Sequence, residues 1–291
     1  MQRFFLSPLI DLVFKKLYGD PHNAELLRSL LGAILSLPVD EYSQLEFLDT
    51  HLRPDIGGGK LAILDVKVRT KGGKIIDIEI QLFRVTAFRS RILFYMAQMI
   101  VQQINKGDPY SKIKPVISIV IADHSFISKE EEGDYHNVYH LANKKSHKSF
   151  TDIVEIHTIE LDKAPVGGDG TLLGNWLQFL KSKTEEEFAM IAQADPVIAK
   201  AVDILVDMSA DEQLRTEAFY RDKALHDYNT LMEEALIEGI EKGIEQGIER
   251  GIERGRYAQA RESAIKLKHQ HIPFQIIAES LGLTVEEVER L

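Results

Sequence analysis

The chain has 291 residues, 44% of them hydrophobic, with 45 Asp and Glu against 35 Lys and Arg, a net charge of −10 and no cysteine. That composition supports a sizeable core in one or two domains, and it excludes a disulfide framework and a thiolate metal site. No stretch approaches the roughly 18 apolar residues of a membrane span, and the start lacks a long apolar run, so the expectation is a cytoplasmic chain with no signal peptide and no membrane partner.

The charge is unevenly spread. Residues 1–165 hold 21 basic and 21 acidic side chains, and the remainder holds 14 against 24. A neutral first half has room for a local basic groove. The acidic second half is a poor non-specific binder of nucleic acid, because phosphate contacts need Lys and Arg. The split points to two roles in one chain.

Taken in order, Ser7-Pro8 is placed to cap a helix running through Leu17, with Leu9, Leu12, Val13 and Leu17 on its apolar side. Leu26, Leu27, Leu30, Leu31 and Ile34 recur at helical spacing over 21–35, and Pro38 ends that helix. Tyr42 to Leu48 reads as a strand, and Arg53-Pro54-Asp55 with Gly57-Gly58-Gly59 as a loop.

The most informative stretch follows. Leu64, Val66 and Val68 alternate with Asp65, Lys67 and Arg69, and Ile76, Ile78 and Ile80 alternate with Asp77, Glu79 and Gln81. Lys71-Gly72-Gly73 stands between the two runs, which is the pattern of a β-hairpin. A three-residue loop closed by Thr70 and Lys74 places Asp65 opposite Glu79 and Lys67 opposite Asp77. Opposed side chains in such a pair sit about 5 Å apart at their β-carbons. Two carboxylates there repel unless a cation lies between them. Lys67 and a divalent metal are the candidates, and Mg²⁺ characteristically uses one or two carboxylates with water and phosphate.

Thr86 to Asn105 reads as one long helix with Arg84, Arg89 and Arg91 near its start. Arg89 and Arg91 are candidate phosphate-binding residues, since the guanidinium fork matches phosphate oxygens. Their structural alternative is surface Arg with snorkelling stems. Pro115 to Ala122 is a β-branched run expected to be a strand buried on both faces. Lys129 to Lys148 is polar and reads mostly as a loop. It holds His136, His140 and His147, but no acid or Cys completes a metal set. Thr151 to Leu161 is another strand.

From Gly167 onward the chain reads as helical, with candidates at 171–182, 185–193, 196–208 and 211–238. Residues 239–255 repeat Gly-Ile-Glu-x, with Gly at every fourth position. Each interior Gly costs a helix about 1 kcal/mol against Ala, a cost that close approach of a second helix offsets. The expectation is a homodimer or higher homo-oligomer through this helical end, with a mobile linker as the alternative. Pro273 to Leu291 reads as two short helices with a capping box at Thr284 and Glu287. Its spacing resembles a helix-turn-helix, but Glu286, Glu287 and Glu289 repel phosphate, so it reads as a packing hairpin.

The pattern Asp65, then Glu79-x-Gln81, resembles the PD-(D/E)XK nuclease core, with Gln in the place of Lys. The form I-L-D-V-K … I-E-I-Q, together with D-L-V-F-K-K-L-Y-G at 11–19, Arg91-x-x-x-Tyr95 and G-D-P-Y at 107–110, is similar to the recombination-promoting nuclease branch, whose members are also described as transposases. The resemblance implies an α/β (α+β) fold, an αβββαβ restriction-endonuclease-like core with a mixed central sheet over 1–165. An all-helical C-terminal region would follow: helices over 166–238, the repeat helix over 239–256 and a hairpin over 257–291. It also implies a metal-dependent DNA endonuclease linked to recombination or mobile DNA. Asp65, Glu79 and the backbone carbonyl of Ile80 would hold Mg²⁺, with Mn²⁺ able to substitute. Gln81 would orient water or a phosphate oxygen, and Asp11 and Lys67 would support catalysis. The alternative is a weak or inactive nuclease fold acting as a DNA-binding or assembly module.

Overall fold

The structure is a computed structural model, and it describes residues 4–35, 37–52, 62–82, 87–124 and 134–291. The chain divides into two compact units, Met1–Leu225 and His226–Leu291.

The first unit opens with α1 (Asp11–Tyr18) and α2 (Ala24–Ile34). Ser7-Pro8 does not cap α1. It forms a turn ahead of the helix, with the Ile10 amide donating to the Ser7 carbonyl at 3.2 Å, and the helix starts at Asp11 without a side-chain cap. The strand expected over 42–48 shortens to β1 (Glu46–Phe47), because Val39–Tyr42 coils into a short helix, α3. That turn braces the hairpin: the Lys71 amide donates to the Glu41 carbonyl at 3.1 Å, and Lys71 Nζ lies 2.8 Å from Asp40.

β2 (His51–Leu52) pairs with β3 (Ala62–Ile63) in a small antiparallel sheet. β4 (Val66–Arg69) and β5 (Ile75–Gln81) form the expected hairpin. Its register pairs Lys67 with Asp77 and Val66 with Ile78, as the three-residue loop requires. The Thr70 amide donates to the Lys74 carbonyl at 2.9 Å, and Gly73 supplies the φ of +88° that the turn needs.

One expectation fails here. Residues 62–69 are not a continuous strand, because the backbone bends at Asp65. Leu64, which alternation places with Val66 and Val68, belongs instead to the cluster of Ile75, Met96 and Val116. Its amide donates to the Thr50 carbonyl at 3.0 Å, outside the hairpin ladder.

α4 (Phe88–Val101) leads to β6 (Val116–Ala122), which is buried along its whole length. β7 (His136–Ala142) and β8 (Ser149–Glu160) follow. β7 lies within the stretch read as a loop. It is an edge strand whose side chains stay largely exposed, so its polar sequence hid the Val138-Tyr139 pair that favours extended backbone. The sheet order is β1-β4-β5-β6-β8-β7, with β5, β6 and β8 parallel and the flanking strands antiparallel.

Helices cover both faces of this mixed sheet. On one face, α1 and α2 join α5 (Leu172–Lys181), α6 (Glu185–Ile191) and α7 (Pro196–Ala210) around Ile76, Ile78, Ile117 and Ile119. On the other, Phe88, Ile92, Met96 and Met99 of α4 pack with Ile75, Val116 and Val120. The result is a restriction-endonuclease-like α/β fold.

α8 (Glu212–His269) is a single helix that runs through the Gly repeat. In the second unit, α9 (Phe274–Leu281) and α10 (Val285–Arg290) fold back on its end, burying Ala264, Ile277, Ala278 and Val288. The capping box of Thr284 and Glu287 is present. No helix among the described residues is long and apolar enough to cross a membrane.

Candidate active site

The alternation of β5 turns Asp77, Glu79 and Gln81 to the α4 side of the sheet, in line with Ile75. Asp65 meets them from the bend before β4. Its amide donates to Glu79 Oε1 at 3.3 Å, and its own Oδ2 accepts from the Ile80 amide at 2.9 Å. The two carboxylates are thereby tied to each other's backbone.

The bend has a second effect. In a continuous antiparallel ladder, Leu64 and Ile80 would exchange both amide–carbonyl bonds. Here the Leu64 amide goes to Thr50 and the Ile80 amide goes to Asp65. The Ile80 carbonyl therefore loses its ladder donor, on the same side of β5 as the Asp65 carboxylate.

The acids form an electrostatically linked trio. Asp77 is fully buried; its Oδ2 accepts from Ser118 Oγ at 3.2 Å, and its Oδ1 has no hydrogen-bond partner. Burial raises its pKa to about 8, against the Ser118 hydrogen bond and with repulsion from Asp65. Burial likewise holds Glu79 well above the usual carboxylate range, reinforced by Asp77 and Asp65 and eased by Arg91. Lys67 stands across from Asp77 in the pairing. The two form no ion pair among the described residues. Instead burial lowers the Lys67 pKa, and the charges of Asp77 and Asp49 only partly restore it.

Two cations reach the acids from helices. Lys15 on α1 places Nζ 3.0 Å from Asp65 Oδ1 and 3.9 Å from Asp11 Oδ2. Asp11 also pairs with Arg221 of α8. So Asp11 joins the site through Lys15, and no contact between Asp11 and Asp65 or Glu79 occurs among the described residues. On the opposite side, an Arg91 Nη2 donates to Gln81 Oε1. The Arg91 guanidinium lies 5.2 Å from the centre of the Phe88 ring and 6.0 Å from that of Tyr95. Gln81, 4% exposed, cannot carry the superfamily's positive charge, and Arg91 brings one to it. Tyr95, one helical turn on, has its pKa raised by burial, with smaller influences from Arg91, Glu79, Asp77 and Asp65.

Of the expected residues, the fold brings Asp65, Glu79, Gln81, Ile80 and Arg91 together, with Lys67 next to them. Arg89 lies on the exposed side of α4, since two helical positions separate side chains by about 200°. Arg84 lies outside the described residues. Lys15 and Ser118 were missed. The spacing of Asp11 and Lys15, one turn apart on α1, was the available signal for the first. Nothing in the local sequence marks the second.

The donor set is all oxygen: the Asp65 and Glu79 carboxylates and the released Ile80 carbonyl, with the buried Asp77 carboxyl behind them. That set fits a hard divalent cation. Among the described residues no group of three or more His, Cys, Asp or Glu is placed to hold a metal ion.

A mixed sheet carrying opposed acids on a β-hairpin, flanked by helices on both faces, defines a nuclease-type core. The chain matches the model of the PD-(D/E)XK nuclease family transposases over residues 8–235 and belongs to that family. Nucleases of this superfamily typically use divalent metal ions. Neither curated proteins nor solved structures give a match to this chain.

Proposed function

We propose that this protein is a Mg²⁺-dependent DNA endonuclease that hydrolyses phosphodiester bonds, acting in recombination or on mobile DNA. The observation that carries the reading is the bend at Asp65, where the Asp65 and Glu79 carboxylates bond to backbone amides of each other's segment and the Ile80 carbonyl is released from the ladder. Asp65, Glu79 and that carbonyl would hold the cation. When bound, such an ion would lower the pKa of a water to give a hydroxide nucleophile and would neutralise charge developing on the phosphate.

The remaining work falls to side chains. Gln81, with its oxygen held by Arg91, would orient a water or a phosphate oxygen. Arg91 supplies a fixed positive charge next to it, cushioned by Phe88 and Tyr95. Asp77, kept protonated by burial near neutral pH, gives up that proton as a cation binds in front of it, which couples cation binding to pH. Lys15 neutralises Asp65 until a cation replaces it. On this reading the protein works in the cytoplasm.

A second reading rests on the C-terminal unit: an assembly module in which two copies of α8 pair through the repeat. Ile240, Ile244, Ile248 and Ile252 are each more than half exposed, and an added Cβ at any repeat Gly would meet only open space. Among the described residues nothing offsets the cost of those glycines, and a second copy would.

The deciding experiment is cleavage of supercoiled plasmid with Mg²⁺, Mn²⁺ or EDTA. The expected result is metal-dependent nicking that both Asp65→Ala and Glu79→Ala abolish. Cleavage surviving both substitutions overturns the site. Its absence from the unaltered protein favours the assembly reading.

A further inference from the structure

β8 outruns its neighbour: its pairing with β6 begins at Val154, so Ser149 to Ile153 extend beyond the sheet with β7 as their companion. The two strands end in a compact turn. The Asn143 amide donates to the Lys148 carbonyl at 2.8 Å, and the Asn143 side chain accepts from the Lys145 and Ser146 amides at 2.9 Å. His147 takes a left-handed φ of 55° to close it. This turn is ordered by its own hydrogen bonds, yet every residue from Leu141 to Phe150 is exposed.

Its side chains are of one kind. Lys144, Lys145 and Lys148 lie within five positions, and none makes an ion pair among the described residues. His147 sits between them, and Phe150 is 84% exposed beside them. Within residues 1–165, whose charges balance overall, three lysines thus stand together on one projecting ribbon.

We propose that the β7–β8 ribbon is a DNA-contacting arm: Lys144, Lys145 and Lys148 grip backbone phosphates of duplex DNA while Phe150 makes apolar contact in the groove. A two-stranded ribbon fits the major groove, and lysines at its tip are suited to phosphate. The inference rests on the nuclease reading, because it takes DNA as the partner. Lys148 lies ten residues before Thr158, which is in register with Val120 and Glu79. At about 3.3 Å per residue the arm is on the order of 30 Å from the acids, close to one turn of B-DNA. One continuous duplex reaches both.

The test uses the full-length chain carrying Asp65→Ala in EDTA, so that binding is read without cleavage. A fluorescent duplex of about 30 base pairs is titrated between roughly 50 and 400 mM KCl. Changing Lys144, Lys145 and Lys148 together to Gln should flatten the slope of log K against log salt by about 2.7, and weaken binding on the order of 10²-fold at 0.1 M salt. Phe150→Ser should weaken binding with the salt slope unchanged. All four positions are exposed, so melting temperatures should match the parent's. Equal affinity and slope in parent and triple variant overturn the arm while leaving the nuclease reading intact. A parent that does not bind the duplex overturns both.

Discussion

Asp77→Asn tests the electrostatics of the site without touching a residue that would hold the cation. Asp77 is fully buried with a pKa near 8, against about 4 in an unfolded chain. Between those values the folded protein binds a proton that the unfolded chain has lost. Its stability is therefore fully present below pH 4 and falls as pH rises through 8. Four units correspond to an upper bound of about 5 kcal/mol, and relaxation and water entry should leave roughly 2–3 kcal/mol. Asn keeps an acceptor for the Ser118 hydroxyl and carries no charge. In EDTA at pH 8.5 the variant should melt about 5–10 °C above the parent, at 2–4 °C per kcal/mol for a unit of this size. At pH 5 the gap should shrink to about a quarter of that. Mg²⁺ should raise the parent's melting temperature at pH 8.5 more than the variant's. A parent whose stability relative to Asp77→Asn is flat or rises from pH 5 to 8.5 refutes the account of the trio.

Three further outcomes are expected. Lys15→Met removes the ammonium 3.0 Å from Asp65 Oδ1, so the Mg²⁺ concentration giving half-maximal nicking should fall several-fold; an increase would show that Lys15 helps hold the acids in place. Arg91→Ala should lower the cleavage rate on the order of 10²-fold, and Gln81→Ala in the Arg91→Ala background should cost little more, because the two act as one hydrogen-bonded unit; additive losses would separate their roles. Gly243→Ala with Gly247→Ala should stabilise an isolated helix by about 1 kcal/mol per site yet shift the protein toward monomer in sedimentation. Unchanged association would mean that these glycines do not sit where two helices meet.

The central hairpin was legible because its signals are local. Period-two alternation and a Gly-containing turn set the register, and that register alone opposed Asp65 to Glu79. The β-branched run of β6 and the capping box at Thr284 were readable for the same reason. The edge strand β7 was hidden, since an exposed strand needs no apolar alternation. The bend at Asp65 was hidden too, because Leu64 leaves the hairpin to join α4's cluster, and that exchange depends on where α4 packs. Alternation tells which side of β5 carries the acids, but not what stands across from them. Only the packing of α1 and α4 on opposite faces of the sheet brings Lys15 to Asp65 and Arg91 to Gln81. Burial beneath that packing, rather than the identity of the residue, holds a proton on Asp77.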